Sequence, residues 1–356
     1  YIGMVVLLIL ISNAQGWCRF GNDAHTFTHN IHNIATPRVG GAAILLGMLA
    51  GTLVAYYMIA TSNINSLFVT NVVLVLVCSL PVFAVGLIED LTARLSPRKR
   101  LLLTLCGSSA AFFVLDIPMQ STGLAWIDSL LIEHIWISLP ITILLITGLT
   151  HAFNMIDGLN GLMLFNSITA SLALLICSFL VRDTQLIGLL LLLLSATLGL
   201  FLFNFPLGKI FAGDGGAYLL GFLLAIVALM LTQRNLQVSS WFPVLVMAYP
   251  ISDLLCSMGR RLLQKQKLSQ PDKYHLHSLV FRALSIHFNK HNKKYINNIA
   301  SLIMWHFPIV TAVLAIYLYD NTTMLVVCSC FSVFYYMMLH LTIRRYLLSN
   351  STLKIC

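Results

Sequence analysis

The sequence predicts an all-α fold, a polytopic transmembrane bundle of about ten to eleven helices, read as a single integral-membrane domain over residues 1–356. Three observations predict it. Of the 356 residues, 58% are hydrophobic and 9% charged, where a soluble domain carries roughly 25% charged residues. The mean hydropathy is +0.88, which leaves too little polar surface to cover a water-soluble globule of this size. The apolar residues also fall in long runs, not in the alternating strands of about ten residues that build a membrane β-barrel. A soluble enzyme, a disordered chain and a disulfide scaffold are thereby excluded. The eight cysteines show neither CxxC nor zinc spacing and read as small buried hydrophobes.

Measured against a hydrocarbon core about 30 Å thick, the runs place spans at 1–14, 39–60, 67–88, 101–117, 135–153, 162–181, 185–204, 215–232, 241–258, 299–319 and 322–342. The chain opens at Tyr1 inside an apolar run, so the first span is expected to be incomplete. Only Arg182, Asp183 and Thr184 separate the sixth and seventh spans. The one long polar stretch is 259–298. With the N-terminus outside, the loops at 15–38, 89–100, 150–161, 203–214 and 259–298 and the tail after 343 share one side. They hold 19 of the 21 Lys and Arg, all but Arg182 and Arg234, and the positive-inside rule makes that side the cytoplasm. The net charge of +9 therefore reads as basic loops facing anionic lipid headgroups and not as a nucleic-acid surface.

The acidic residues divide differently. Asp116, Asp128, Glu133, Asp183 and Asp320 fall in outer loops and read as solvated. Glu89, Asp90, Asp157, Asp214 and Asp253 sit at the cytoplasmic ends of apolar runs. A charge at the bilayer centre costs roughly 2.5–3.5 kcal/mol. The cost is smaller at the interface, but carboxylates at four separate helix ends still call for a function.

Five segments carry candidate chemistry. TPRVGG at 36–41 sets a rigid Pro/Gly turn with Arg38 at the interface. The upstream His25, His29 and His32 show no metal spacing. GLIED at 86–90 ends a span on Glu89 and Asp90, and Arg94, Arg98, Lys99 and Arg100 follow. Adjacent helical residues point in different directions, so this pair can divide its labour between a metal and a base. In NMIDGLNG at 154–161, Asn154, Asp157 and Asn160 recur every three residues and are expected to share a helix flank. An amide and a carboxylate on one flank suit a hydrated divalent cation or a sugar nucleotide. In the segment 203–216, Lys209 and the glycines of FAGDGG precede a helix whose free N–H groups suit phosphate, and Asp214 either caps that helix or binds Mg²⁺. In PDKYHLH at 271–277, His275 and His277 converge if the segment is extended. They lack further ligands for zinc and fit imidazole donors aimed at a diphosphate.

Together these segments resemble the polyprenyl-phosphate N-acetylhexosamine-1-phosphate transferase family of WecA- and TagO-like enzymes, which is related more distantly to the phospho-N-acetylmuramoyl-pentapeptide transferases. The likeness runs in the family's order over most of the chain, and NMIDGLNGL and FAGDGG are its most specific parts. HLH is similar to the HIHH-type signature of the WecA-like branch. The resemblance implies a cytoplasmic active site in the bacterial inner membrane. It implies transfer of sugar-1-phosphate from a UDP-N-acetylhexosamine, such as UDP-GlcNAc, to undecaprenyl phosphate, with UMP released. This would be the first membrane step in making an envelope polysaccharide. Mg²⁺ is the implied cofactor, with Mn²⁺ as a substitute.

Carried over by residue, Glu89, Asp90 and Asp157 are the implied catalytic groups, and Asp214 and Asp90 the metal ligands. Arg38, Asn154, Asn160, Lys209, His275 and His277 are the implied substrate contacts. Two positions depart from the pattern. Glu89 stands where the family has Asp, one methylene shorter, and Asn160 stands where DGLDG-type sequences carry an acid. Membrane lipid is a further expected partner, and the apolar outer spans are compatible with a homodimer. The alternatives are a muramoyl-pentapeptide transferase and a transporter, although a transporter would place its carboxylates near the midplane.

Overall fold

The computed structural model describes residues 36–61, 67–265, 272, 274–288 and 293–352. The expected span at 1–14, His25, His29, His32 and parts of the 259–298 loop lie outside the described residues. Among those described there are fourteen helices and no strand. They are α1 (Gly40–Ala60), α2 (Leu67–Thr92), α3 (Pro97–Leu115), α4 (Ala125–Glu133), α5 (Ile135–Met155), α6 (Leu162–Leu180), α7 (Thr184–Asn204), α8 (Gly213–Arg234), α9 (Trp241–Val246), α10 (Ala248–Leu263), α11 (Leu276–His287), α12 (Lys293–Met304), α13 (His306–Tyr317) and α14 (Thr322–Thr352). Helices α1, α2, α5, α6, α7, α8, the α12–α13 pair and α14 are long and apolar enough to cross a membrane. Helix α3 starts earlier than the expected span and takes Arg98, Lys99 and Arg100 into its first turn.

Two expected spans are each broken in two. The run at 241–258 divides into α9 and α10, and the run at 299–319 divides into α12 and α13. The cause is the same in both. Pro250 and Pro308 lack the N–H that would bond the carbonyl four residues earlier, on Val246 and Met304, and those are the last residues of α9 and α12. Each proline then sits in the first turn of the next helix, where its missing donor costs nothing. The short helix α4 was not expected. Trp126 and Trp136 beside it are exposed, as suits the aromatic belt of a membrane interface.

The buried axis is α8, almost all of whose side chains are out of contact with the surroundings. Helices α1, α2, α5 and α6 pack around it. Outward faces carry large apolar side chains instead, among them Leu53 and Tyr57 on α1, Phe113 on α3 and Phe331 on α14, which is what lipid contact requires. The cysteines are less uniformly buried than expected. Cys78 and Cys177 are buried, but Cys106 and Cys330 are exposed.

The N-terminus of α8 is approached very closely by its neighbours. A Cβ on Gly86 of α2 would come within 2.5 Å of the Asp214 carbonyl, so only glycine lets the helices meet there. Gly213 has φ +72° and opens α8 in a conformation that side chains rarely adopt.

Candidate active site

The site is built from the start of α8 outward. The segment 36–41 runs beside 208–212 and is clamped to it. Phe211 N–H donates to the Pro37 carbonyl (2.9 Å), Gly40 N–H to Phe211 (2.9 Å) and Gly41 N–H to Ala212 (2.9 Å). The first and third sequence segments are thus one structural unit, and Arg38 is held over the first turn of α8. Asp214 lies inside that turn and is not its cap. Helix α8 begins at Gly213, and the preceding Ala212 offers no side-chain cap. The cap comes from another helix. The Asp90 carboxylate, at the end of α2, accepts the N–H groups of Asp214 (3.0 Å) and Gly215 (2.9 Å) and lies 3.4 Å from Arg38 Nε. A carboxylate has about four lone-pair sites, so Asp90 spends most of its capacity on the protein.

A ring of charge surrounds this cap. Asp214 Oδ1 meets Arg38 Nη2 at 3.1 Å, and its Oδ2 meets Arg100 Nη1 at 3.2 Å. Arg100 Nη1 is also 3.9 Å from Glu89 Oε1, and Glu89 Oε2 accepts the Leu95 N–H at 2.9 Å. The adjacent pair therefore points in different directions. Asp90 turns inward onto α8, and Glu89 turns toward the α2–α3 connection. Tyr218, one turn into α8, brings its hydroxyl to the side chains of Asn154 and Arg100.

The expectation that Asn154, Asp157 and Asn160 share a helix flank is corrected. Helix α5 ends at Met155, and 156–161 is a turn, because the glycines at 158 and 161 favour a turn over another helical one. Asn154 and Asp157 remain on the side of the charge ring. Burial pushes the Asp157 carboxyl up to about 7; Arg38 opposes the shift and the like charge of Asp214 adds to it. Asn160 is turned away and buried. Its N–H donates to Asn297 Oδ1 (2.8 Å) and its Nδ2 to Asn298 Oδ1 (3.2 Å). Asn204 braces the same turn from the other side, accepting the Gly161 N–H (2.6 Å) and donating to the Ile210 carbonyl (2.8 Å). Lys209 is exposed on the loop that Asn204 fastens.

The two histidines lie at the start of α11, with His275 as the N-cap residue and His277 in the first turn. Their rings stack at 5.4 Å and 9°. Their surroundings differ. His277 is buried, with Nδ1 3.3 Å from the Tyr249 hydroxyl and Nε2 against Gly158, the residue after Asp157. Burial, aided by His275, lowers its imidazole to about 4, so it is neutral. His275 Nδ1 lies 2.6 Å from Asp253 Oδ2. Burial there opposes the charged form, but the Asp253 carboxylate prevails and raises the imidazole above its ordinary value.

Sequence reasoning missed Arg100, Tyr218, Asn204 and Asp253 as site residues. A signal existed for two of them. Arg100 is a cation three residues past a Pro-initiated helix start, facing a carboxylate pair. Asp253 is a carboxylate at the end of an apolar run.

A comparison with known proteins bears on this geometry. The family model described as glycosyl transferase family 4 matches residues 72–232. The family 4 match takes in Glu89, Asp90, Asp157 and Asp214 but stops before the α10–α11 region. The chain is 29% identical over 248 residues to a probable undecaprenyl-phosphate N-acetylglucosaminyl 1-phosphate transferase of Bacillus subtilis, covering 69% of this chain and 66% of that protein. It is 28% identical over 288 residues to a decaprenyl-phosphate N-acetylglucosaminephosphotransferase of Mycobacterium tuberculosis, covering 73% and 69%. A phospho-N-acetylmuramoyl-pentapeptide-transferase of Halalkalibacterium halodurans is 28% identical over a shorter 212 residues, covering 57% and 63%. The matches span about two thirds of these relatives' lengths.

Proposed function

We propose that this protein is a family 4 transferase that moves N-acetylhexosamine-1-phosphate, most simply GlcNAc-1-phosphate, from a UDP-sugar to undecaprenyl phosphate. The products are the lipid-linked diphospho-sugar and UMP. The observation that carries the proposal is the charge ring at the end of the bundle. Arg38 and Arg100 converge on Asp214 at the N-terminus of α8, next to the Asp157 turn and flanked by apolar helix faces. The names of the relatives in Bacillus subtilis and Mycobacterium tuberculosis support the same chemistry. The alignment with the muramoyl-pentapeptide transferase is shorter. The asymmetry of Lys and Arg, 19 of 21 on the side of the ring, supports an active site facing the cytoplasm from a bacterial inner membrane.

The reaction joins two anions. An oxygen of the lipid phosphate bonds to the sugar-bearing phosphorus of the UDP-sugar. The bond from that phosphorus to the bridging oxygen breaks, and UMP leaves with that oxygen. The nucleophile is already largely ionised at neutral pH, so the protein's task is neutralisation and alignment. Arg38 and Arg100 offer guanidinium groups to phosphate oxygens in exchange for Asp214. Asp157, held at about 7, is poised to take the residual proton of the lipid phosphate. Asp90 fits an organiser of this site better than a base, since it holds both the α8 terminus and Arg38. The bundle's apolar flank lets the long lipid stay in the membrane while its phosphate reaches the ring.

Mg²⁺ fits the donor set. Among the described residues no three His, Cys, Asp or Glu converge as a ready-made cage, and Mg²⁺ is commonly held by one or two carboxylates together with substrate phosphates. Asp214 would hold it, with Asp90 fixing the turn behind, and when bound it would neutralise diphosphate charge.

The test is a transfer assay with purified protein, undecaprenyl phosphate and a panel of UDP-N-acetyl sugars. Matching formation of UMP and lipid-linked sugar, abolished by EDTA, is the expected result. Substrate uptake into vesicles with no lipid-linked product would overturn the proposal.

A further inference from the structure

On one face of α10, Tyr249, Asp253, Ser257 and Arg260 recur at intervals of four, four and three residues, the spacing of a single helical stripe. Each of the four meets the segment 272–277. The Tyr249 hydroxyl lies 3.3 Å from His277 Nδ1, and Asp253 Oδ2 lies 2.6 Å from His275 Nδ1. Ser257 donates to Asp272 Oδ2 at 2.8 Å, and Arg260 Nη2 pairs with the same oxygen at 2.5 Å. The stripe is thus a template along which the histidine segment is laid.

Asp253 is the centre of this template. It is fully buried. Its second oxygen accepts the Tyr336 hydroxyl of α14 at 2.5 Å, and the Tyr336 oxygen in turn accepts the Leu276 N–H at 3.3 Å. Packing alone gives no reason for such a group, because well-packed apolar residues often serve stability as well as a buried ion pair does. With Nδ1 turned onto Asp253, the opposite edge of His275, its Nε2, has no protein hydrogen bond among the described residues. The neighbouring ring, His277, abuts Gly158 beside Asp157.

Resting on the transferase reading, we propose that Asp253 is a positioning residue. It accepts Nδ1–H, steadies the imidazolium form of His275 and fixes the ring's orientation, so that Nε2–H is offered to an anionic oxygen of the UDP-sugar diphosphate. A carboxylate behind an imidazole does this wherever the outer nitrogen must act in one defined state. The charged and titratable groups facing His275 are Asp253 and Arg260 of α10, Tyr336 of α14, Asp272 of its own segment and the neighbouring His277. Removing the Asp253 charge leaves Arg260 less opposed and favours the neutral imidazole.

The experiment compares the full-length wild type with Asp253→Asn in the transfer assay across pH, and measures UDP affinity in parallel. Asp253→Asn should lower kcat/KM and weaken UDP binding by about ten- to a hundred-fold, the usual cost of losing an orienting partner. The alkaline limb of its pH profile should move to lower pH, a change that a loss of packing alone would not produce. Histidine ¹⁵N NMR on the wild type needs no folded variant. The signal assigned to His275 should report a protonated Nδ1, and a bare Nδ1 would overturn the proposal. Unchanged kcat/KM, UDP affinity and alkaline limb in Asp253→Asn would also overturn it. A wild type that binds UDP but forms no lipid-linked sugar would instead refute the transferase reading. UDP affinity would then decide the role of Asp253, weaker binding in the variant supporting it and equal binding refuting it.

Discussion

The two ends of the bundle both carry charge at helix termini, yet they are built to different rules. At the end where α8 finishes, Asp183 caps its own helix, accepting the Leu186 N–H at 3.2 Å. It also pairs with one cation, Arg234 Nε at 3.4 Å, and one amide, Asn235 Nδ2 at 3.2 Å. Arg234 in turn donates to Gln185, which Asn71 also reaches. There a single carboxylate faces a single guanidinium, and neutral amides fill the remaining bonds. At the end where α8 begins, Glu89, Asp90, Asp157 and Asp214 share Arg38 and Arg100. The cap is lent by a neighbouring helix, and four carboxylates face two guanidinium groups. An ion pair that serves the fold is closed on itself. The ring, proposed to receive a cation and two phosphates, is left out of balance.

The largest effect should follow from removing the shared carboxylate. Asp214→Asn keeps the shape of the first turn of α8 but takes away the charge on which both arginines converge, so transfer should fall on the order of 10³-fold. The transfer assay, together with size-exclusion behaviour matching the wild type, checks this. Asp90→Asn should cost about 10²-fold in rate and also about 2 kcal/mol of stability, because it weakens the hydrogen bonds that cap α8. Thermal unfolding in detergent separates the two variants: Asp90→Asn lowers the Tm and Asp214→Asn does not. Equal Tm losses in both would mean that Asp90 is not the organiser.

The asymmetry between the ends was partly legible in the sequence. The carboxylates of the ring stood out against apolar runs, and the Lys and Arg count grouped their helix ends together. What the residues did not reveal was which group serves which. Asp90 reads as a catalytic acid until α8 is seen resting on it through Gly86, a contact between residues more than a hundred positions apart. Asn160 reads as a flank partner of Asp157 only while the helix is assumed to continue. The glycines at 158 and 161 argued against that, but loop geometry was needed to show the side chain turned to Asn297 and Asn298. The α10 stripe was hidden because its polar residues match a segment in a loop whose path no periodicity describes. The breaks at Val246 and Met304 were readable in principle, since each lies four residues before a proline. Hydropathy averages over such breaks and hid them.

A smaller effect concerns pH. Asp157 is ionised above about pH 7 and loses its charge below it. Its ionised fraction falls from about half at pH 7 to about a tenth at pH 6. If it accepts the last proton of the lipid phosphate, the wild-type rate should decline through that interval as pH falls. Asp157→Asn should be slower at neutral pH and lack this particular limb. A pH–rate profile with saturating substrates checks it, and an identical acid limb in the variant would assign the titration to another group.

The smallest effect is the one that most sharpens the contrast. Asp183→Ala removes the side-chain cap of α7 and the partner of Arg234, but it strands no buried charge, because Arg234 keeps its bond to Gln185 at 2.9 Å. The cost should be that of a lost N-cap, about 1 kcal/mol, seen as a modest fall in Tm. Transfer should be unchanged, since the Asp183 cluster is separated from the ring by the length of α8. If Asp183→Ala slowed transfer as Asp90→Asn does, the two ends would be coupled through α8. The Asp183 cluster would then share in the function, and the balance of charge would no longer distinguish the two ends.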